Sequence, residues 1–188
     1  MRIVRGRLAN RRLTSPGGRV RPTSESVRDR WLTLLEPHLK GARVLDLFAG
    51  TGALGLEALS RGARSVDFVE NGPAALHALK ANVAALGVRD TTRIFKKDAI
   101  PFVEALEAGA YDIALADPPY MSGKLDRIIE AWRAVPFAHI LSVEHAVTQE
   151  LPERGRFVDI DDTRVTVLRA RRGDASGRSG RPKEPATD

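Results

Sequence analysis

The chain has 188 residues, of which 43% are hydrophobic and 29% are charged, and it contains no cysteine. This length suits one domain with a sizeable core, and the lack of cysteine excludes disulfide scaffolds, thiolate zinc sites, iron–sulfur clusters and cysteine nucleophiles. No apolar run approaches the roughly 20 residues of a membrane span, and the N-terminus lacks the apolar core of a signal peptide. We therefore expect a soluble, cytoplasmic protein with no membrane partner.

The net charge of +6 is concentrated near the N-terminus. Residues 1–30 hold nine arginines against Glu25 and Asp29, whereas residues 31–169 carry a small negative charge. An arginine-rich segment is the usual signature of a polyanionic partner, although a solvated leader has the same composition. Apolar residues alternate with these arginines, which favours nucleic acid. The candidate nucleic-acid-binding residues are Arg5, Arg7, Arg11, Arg12 and Arg21.

The first elements in chain order are a hairpin and a helix. Residues 2–14 predict a short β-hairpin that turns near residues 9–10. A helix should then begin at Thr23 or Ser24, either of which can cap it, and should end at Pro37.

Strands and helices then alternate. The predicted strands span residues 42–48, 65–70, 92–97, 112–118 and 139–145. The predicted helices span residues 53–62, 73–86, 99–108 and 124–134. Two further strands, 156–162 and 163–172, are joined too closely for a crossover helix and should pair antiparallel. The pattern predicts a Rossmann-like, doubly wound α/β sheet with an antiparallel last strand.

This organisation suggests three parts of the chain. Residues 1–22 would form a basic arm, residues 23–172 the α/β domain and residues 173–188 a polar, disordered tail.

A glycine motif follows the first predicted strand. Gly50, Gly52 and Gly55 satisfy G-x-G-x-x-G between a strand and a helix, where glycines allow a tight turn and close approach to a ligand. Glu70 ends the second strand, 18 residues after Gly52, and is placed to bind two ribose hydroxyls. On spacing alone, this pattern predicts a dinucleotide site.

Two features argue against NAD. Asp46 lies four residues before Gly50, where a carboxylate would repel pyrophosphate but could bind an ammonium group. The fourth strand ends in Asp117-Pro118-Pro119-Tyr120, at the edge where α/β ligands bind. The prolines lack N–H donors, so carbonyls and the Asp117 carboxylate remain as acceptors beside a flat ring. Such a site suits an amine on a planar base.

These residues carry a resemblance. VLDLFAGTGALGLEALSRGA, together with DPPY, resembles the class I S-adenosylmethionine-dependent methyltransferases, and [DN]-P-P-[YF] marks those that methylate planar amino or amide nitrogens. The arginine-rich start, RPTSESVRDRWLTLL, VEN and TRVTVLRARR narrow the likeness to the RsmD family, which methylates a guanine N2 amine in bacterial 16S ribosomal RNA. The resemblance covers about residues 1–172.

The resemblance implies S-adenosylmethionine as the cofactor and 16S rRNA, within an assembling or assembled 30S subunit, as the partner of a monomer. Asp117, Pro118 and Tyr120 would bind guanine and act as the catalytic residues. Asp98 can equally serve as a helix N-cap. The residues implied to contact the cofactor are Asp46, Gly50 and Gly52 at the methionine part, Glu70 at the ribose, Asp98 and Ala99 at the adenine, and Asp117.

Several alternatives stay open. The DPPY motif is also found in N6-adenine and glutamine methyltransferases. An NAD-dependent oxidoreductase would use the glycines but would leave DPPY unexplained. An RNA-binding factor that has lost activity would keep the basic arm. Glu144 and His145 end the fifth strand, where capping is expected more than a substrate role. The four histidines have no metal-ligand spacing, so no metal site is predicted.

Overall fold

The computed structural model describes residues 1–15, 24–120 and 122–170. The predicted disordered tail and Arg21 lie outside these ranges. Within them, no helix combines the length and apolar character needed to cross a bilayer.

Five helices and seven strands form the described body. The helices are α1 (Glu25–Leu39), α2 (Ala53–Ser60), α3 (Pro73–Leu86), α4 (Ala99–Glu104) and α5 (Lys124–Ala134), and a 3-10 turn covers Arg89–Thr91. The strands are β1 (Arg43–Leu47), β2 (Ser65–Val69), β3 (Thr92–Phe95), β4 (Tyr111–Ala116), β5 (Ala138–Ala146), β6 (Arg156–Ile160) and β7 (Thr163–Arg169).

The strands form one sheet in the order β3-β2-β1-β4-β5-β7-β6. The first five are parallel, and β7 inserts between β5 and β6 antiparallel to both. The predicted doubly wound sheet with antiparallel pairing at its end is confirmed. The order reverses between β1 and β4, and ligands of open α/β sheets bind at the carboxyl ends of such a pair.

Two apolar cores cover the two faces of the sheet. One packs α1, α2 and α3 against the sheet and contains Trp31 and Phe68, and the other includes residues of α4 and α5 and contains Trp132 and Phe137. Side chains buried on both faces explain the nearly continuous apolar strands of the sequence. The sheet is therefore a rigid platform whose carboxyl edge can hold a site.

The first helix runs past its predicted end. Ser24 is the N-cap and accepts a hydrogen bond from the Val27 N–H, as one of the two predicted alternatives has it. Pro37, however, lies inside the last turn, and the helix continues to Leu39. Leu39 is completely buried, so its packing outweighs the backbone hydrogen bond that proline removes.

The N-terminal segment packs into the first core. Residue 2 bridges residue 12 in antiparallel fashion, and the turn between them includes Asn10 with φ 67°. Ile3, Leu8 and Leu13 are all buried in the core that contains α1 and α2. Residues 1–15 are therefore held on the body, which excludes a solvated leader for this part of the chain.

Candidate active site

The turn between β1 and α2 needs glycine at specific positions. Gly50 and Gly52 have φ of 55° and 77°, in the left-handed region. A Cβ on Gly52 would lie 2.4 Å from Leu79 Cδ1, whereas a Cβ on Gly50 would meet nothing nearer than 4.0 Å. Gly55 lets α2 approach β2, because its Cβ would lie 2.6 Å from the Phe68 ring. Gly52 and Gly55 thus serve packing, while Gly50 borders open space.

Asp46 is buried beneath this turn, with 2% of its surface exposed. Its Oδ2 accepts a hydrogen bond from the Gly55 N–H at 2.9 Å, so it caps a helix whose own N-cap, Gly52, has no side chain to do so. The pKa of Asp46 is raised to about 7, chiefly by burial; the Gly55 hydrogen bond opposes this rise, and the nearby charges of Asp117 and Glu70 add to it. Three carboxylates therefore converge at the sheet's switch point.

Glu70 follows β2 and closes the other side of the turn. Its Oε2 accepts from the Gly50 N–H at 2.8 Å, and its Oε1 accepts from the Asn71 and Gly72 N–H groups at 2.9 and 2.7 Å. The carboxylate thus links the glycine turn to the start of α3.

Asp98 caps α4, as one sequence interpretation proposed. Its Oδ1 accepts from the Ile100 N–H at 3.0 Å, while Oδ2 faces Asn71 Nδ2 at 3.4 Å and Lys124 Nζ at 3.7 Å. Only Oδ1 caps the helix. The Asp98 side chain also lines the cavity described next.

A cavity opens between the ends of β1, β2 and β3. Five of its lining residues were not predicted as site residues from the sequence: Phe48, Val69, Asn71, Lys97 and Lys124. Phe48 has φ 60° although it is not glycine, and Lys124 Nζ lies 5.6 Å from the Phe48 ring centroid. The lining side chains are those of Phe48, Val69, Glu70, Asn71, Lys97, Asp98, Ala99 and Lys124.

The DPPY segment leaves the sheet directly after β4. Asp117 is half-buried, Pro118 is buried, and Pro119 and Tyr120 are exposed. Ser122 donates to the Pro119 carbonyl at 2.6 Å, which fixes the turn that follows. A second cavity is lined by Pro118, Pro119, Tyr120, Ser122, Gly123, Leu125, Glu144 and Gln149.

Side chains of β5 and β7 contact the tyrosine that lines this second cavity. The Tyr120 hydroxyl lies 3.2 Å from Glu144 Oε1 and 3.0 Å from Thr163 Oγ1. His145 instead pairs with Thr166 at 2.9 Å within the sheet. Sequence reasoning weighed Glu144 and did not find Thr163, since nothing local marks a threonine of a distant strand. Within the described ranges, no cluster of three or more histidine and carboxylate side chains is placed to hold a metal ion.

The N-terminal arginines differ in their contacts. Arg5 forms an ion pair with Asp29 at 2.6 Å, and Arg11 donates to the Ala85 carbonyl at 2.8 Å. Arg7 and Arg12 are exposed, and their side chains form no hydrogen bond or ion pair with the described residues.

A buried ionic network holds the segment in place. The Glu57 carboxylate accepts from the backbone N–H groups of Val4 and Arg5 at 2.7 and 2.8 Å. It also pairs with Arg28 at 3.4 Å and Arg61 at 2.9 Å, and the Arg28 and Glu57 side chains are completely buried. The network fixes the segment against α1 and α2.

Residues 1–175 match the family described as Conserved hypothetical protein 95. The chain belongs to this family, the RsmD family. It is 37% identical over 132 residues to ribosomal RNA small subunit methyltransferase D of Escherichia coli strain K12, which covers 69% of this chain and 65% of that protein. It is also 34% identical over 160 residues to YlbH of Bacillus subtilis strain 168, named as a candidate rRNA methyltransferase, covering 81% of this chain and 86% of that one.

Solved structures of other proteins share the fold. The Escherichia coli candidate methyltransferase yhhF superposes with a TM-score of 0.77 at 30% identity, over 89% of this chain and 96% of that chain. The Thermus thermophilus 16S rRNA N2 G1207 methyltransferase RsmC, solved with AdoMet and guanosine, has a TM-score of 0.62 at 21% identity over 82% of this chain and 44% of that one, so it shows the fold. The chain is a methyltransferase of class I, and S-adenosylmethionine is its cofactor.

Proposed function

We propose that the chain transfers a methyl group from S-adenosylmethionine to the exocyclic N2 amine of a specific guanine in 16S rRNA. The observation that carries this proposal is the position of the DPPY turn, which follows β4 at the switch point beside the glycine turn of β1. The family relatives support it, since one is named ribosomal RNA small subunit methyltransferase D.

We assign the cofactor to the first cavity and to the glycine turn beside it. Gly50 borders open space and has no Cβ to obstruct a ligand, and the carboxylates of Glu70 and Asp98 line the cavity as acceptors for hydroxyl and amine donors. Asp46, Gly50 and Gly52 would hold the methionine part, Glu70 the ribose, and Asp98 with Ala99 the adenine. When bound, S-adenosylmethionine supplies a methyl group already activated on a sulfonium sulfur.

Asp46, beneath the glycine turn beside this cavity, favours a cation at that turn. A buried carboxylate whose pKa is about 7 is costly to ionise alone, and a neighbouring cationic group offsets that cost. The turn is therefore better suited to the ammonium and sulfonium of S-adenosylmethionine than to a pyrophosphate.

Asp117, Pro118 and Tyr120 would bind the guanine and assist the transfer. The Asp117 carboxylate and the Pro118 carbonyl accept hydrogen bonds from the amine, and no proline N–H competes at this turn. These acceptors favour a pyramidal nitrogen and stabilise the positive charge that develops on it. Asp117 or water then receives the proton. Tyr120, with 52% of its surface exposed, offers a face on which the base stacks.

The target guanine must be unpaired or flipped out to reach this turn, at a cost of a few kcal/mol. The exposed Arg7 and Arg12 side chains would bind RNA phosphate, with Arg5 and Arg11 partly occupied by protein contacts. Arg21, outside the described residues, stays a predicted contact. We place the substrate in an assembling or assembled 30S subunit, modified by a monomeric enzyme.

The test is methylation of small-subunit RNA taken from cells that lack this protein. The RNA, free or in 30S subunits, is incubated with the protein and labelled S-adenosylmethionine, digested to nucleosides and analysed by mass spectrometry. N2-methylguanosine at one position is the expected product. N6-methyladenosine would support the alternative nucleic-acid reaction, and label in a ribosomal protein would support glutamine methylation; either result would contradict the proposal.

A further inference from the structure

Tyr120 is held at its hydroxyl end by two side chains of other strands. Its hydroxyl lies 3.2 Å from Glu144 Oε1 and 3.0 Å from Thr163 Oγ1, and Thr163 also donates to Glu144 Oε1 at 2.9 Å. Glu144 and Thr163 are 7% and 6% exposed, so the anchor is buried although half of the tyrosine is open. Fixing a ring at both ends restricts its rotamers before any base arrives.

The antiparallel strand creates this contact. The carboxyl ends of β4 and β5 lie at the same edge of the sheet because the two strands are parallel. The reversed β7 brings its first residue to that edge, where Thr163 pairs with Ala146 and Val165 with Glu144. A parallel last strand would present its last residue there instead.

We propose that Glu144 and Thr163 are positioning residues that fix the Tyr120 ring as the stacking face for the substrate base. The inference rests on the proposed function for the identity of that base, and on the described contacts for the anchor. Alignment of the nitrogen with the methyl group depends on the orientation of the base, so a ring free to rotate lowers the rate of transfer more than it weakens RNA binding.

Kinetics provide the first test. Thr163→Val removes the anchor hydroxyl at nearly constant volume, and we expect kcat on small-subunit RNA to fall about five- to tenfold, the size expected for one lost hydrogen bond, while KM stays within about twofold. Thr163→Ser should restore kcat. Thr166→Val is the matched control, since it removes a buried hydroxyl from the same strand that bonds to His145 instead.

A double-mutant cycle separates positioning from general stability. Tyr120→Phe should lower kcat as Thr163→Val does, and the double variant should be no worse than either single one, because both remove the same contact. Additive losses, or equal losses in Thr163→Val and Thr166→Val, would overturn the proposal. Glu144→Ala should also lower kcat, and Glu144→Gln, which keeps an acceptor, should retain most of it.

A titration tests the anchor without activity. The chain has two tyrosines, and Tyr111 is buried against Asp67, so fluorotyrosine labelling with ¹⁹F NMR reads Tyr120 separately. Burial raises the pKa of Tyr120, the Thr163 hydrogen bond opposes this, and the charges of Glu144 and Asp117 add to it. Glu144→Gln should therefore lower the pKa of Tyr120, and Thr163→Val should raise it.

The titration of Tyr120 and the methylation assay can contradict the anchor and the proposed function independently. If the wild-type protein methylates guanine but the pKa of Tyr120 responds to neither substitution, the anchor is wrong and the proposed function stands. If the pKa responds as expected but no guanine is methylated, the anchor stands and the proposed function is wrong, together with the positioning role assigned here.

Discussion

The Glu70 carboxylate accepts a hydrogen bond from the Gly50 N–H with an N···O distance of 2.8 Å. This contact joins the end of β2 to the glycine turn that follows β1, across 20 residues of sequence. One carboxylate therefore both shapes the turn and lines the cavity assigned to the cofactor. Substitutions around this contact separate effects on folding from effects on binding.

Substitutions of Gly50 and Gly52 by alanine are predicted to affect different properties, cofactor binding and stability respectively. Gly52→Ala places a Cβ 2.4 Å from Leu79 Cδ1 at φ 77°, so we expect a loss of about 2–4 kcal/mol in the free energy of unfolding. Gly50→Ala has free space for its Cβ and should cost about 1 kcal/mol. Because that space is where the cofactor would lie, Gly50→Ala should weaken S-adenosylmethionine binding at least tenfold. Urea unfolding and calorimetry measure the two effects, and equal stability losses would contradict the assignment.

The free energy of unfolding should depend on pH through the titration of Asp46. Burial raises the pKa of Asp46 from 3.8 to about 7, so between these pH values the folded state binds a proton that the unfolded state has lost. The free energy of unfolding therefore falls as pH rises from about 4 to about 7, by at most about 1.4 kcal/mol per pH unit from this group. Asp46→Asn removes the titration and keeps an acceptor for Gly55. In urea unfolding, the free energy of unfolding of the variant should increase relative to that of the wild type as pH rises. A difference that does not change with pH would show that Asp46 does not titrate in this range.

Glu57 should be essential for stability. Removing its carboxylate in Glu57→Ala leaves Arg28 buried without this ion pair and frees the backbone N–H groups of Val4 and Arg5. We expect a loss of about 3–5 kcal/mol. Glu130→Ala, at an exposed position of α5, is the control and should change stability by less than about 0.5 kcal/mol. A small loss in Glu57→Ala would mean that the network contributes little.

The salt dependence of RNA binding tests the N-terminal segment. Arg7 and Arg12 are exposed, whereas Arg5 is engaged with Asp29, so the first two are freer to neutralise phosphate. Replacing both by glutamine should reduce the slope of log K against log salt by up to about two and leave S-adenosylmethionine affinity unchanged. Arg127→Gln, on the exposed side of α5, is the control. An unchanged slope in the double variant would remove the segment from the RNA-binding surface.

Much of the architecture could be predicted because its signals are local. The apolar strands, the capped helix at Ser24 and the glycine turn all reflect residues close in sequence, and Gly87 ends α3 with φ 67° where the pattern stops it. The end of α1 could not be predicted, because Pro37 is a local signal whereas the burial of Leu39 depends on packing.

The support of the site depends on contacts between distant elements. Thr163 reaches Tyr120 because β7 is reversed, and no motif in the sequence records that pairing. Glu57 looks like an ordinary polar residue of α2, although it binds Val4 and Arg5 more than 50 residues away. The roles of Asp46, Glu70 and Asp98 toward the cofactor stay predictions, since each carboxylate is described here by its protein contacts.

The most direct test of the central claim compares Asp117→Ala with Asp117→Asn. Transfer to small-subunit RNA is measured as N2-methylguanosine formed, and S-adenosylmethionine binding is measured by calorimetry on the same preparations. If Asp117 accepts hydrogen bonds from the guanine amine, Asp117→Ala abolishes transfer with cofactor affinity largely intact, and Asp117→Asn, which keeps one carbonyl acceptor, retains part of it. Near-normal turnover by Asp117→Ala would contradict the account.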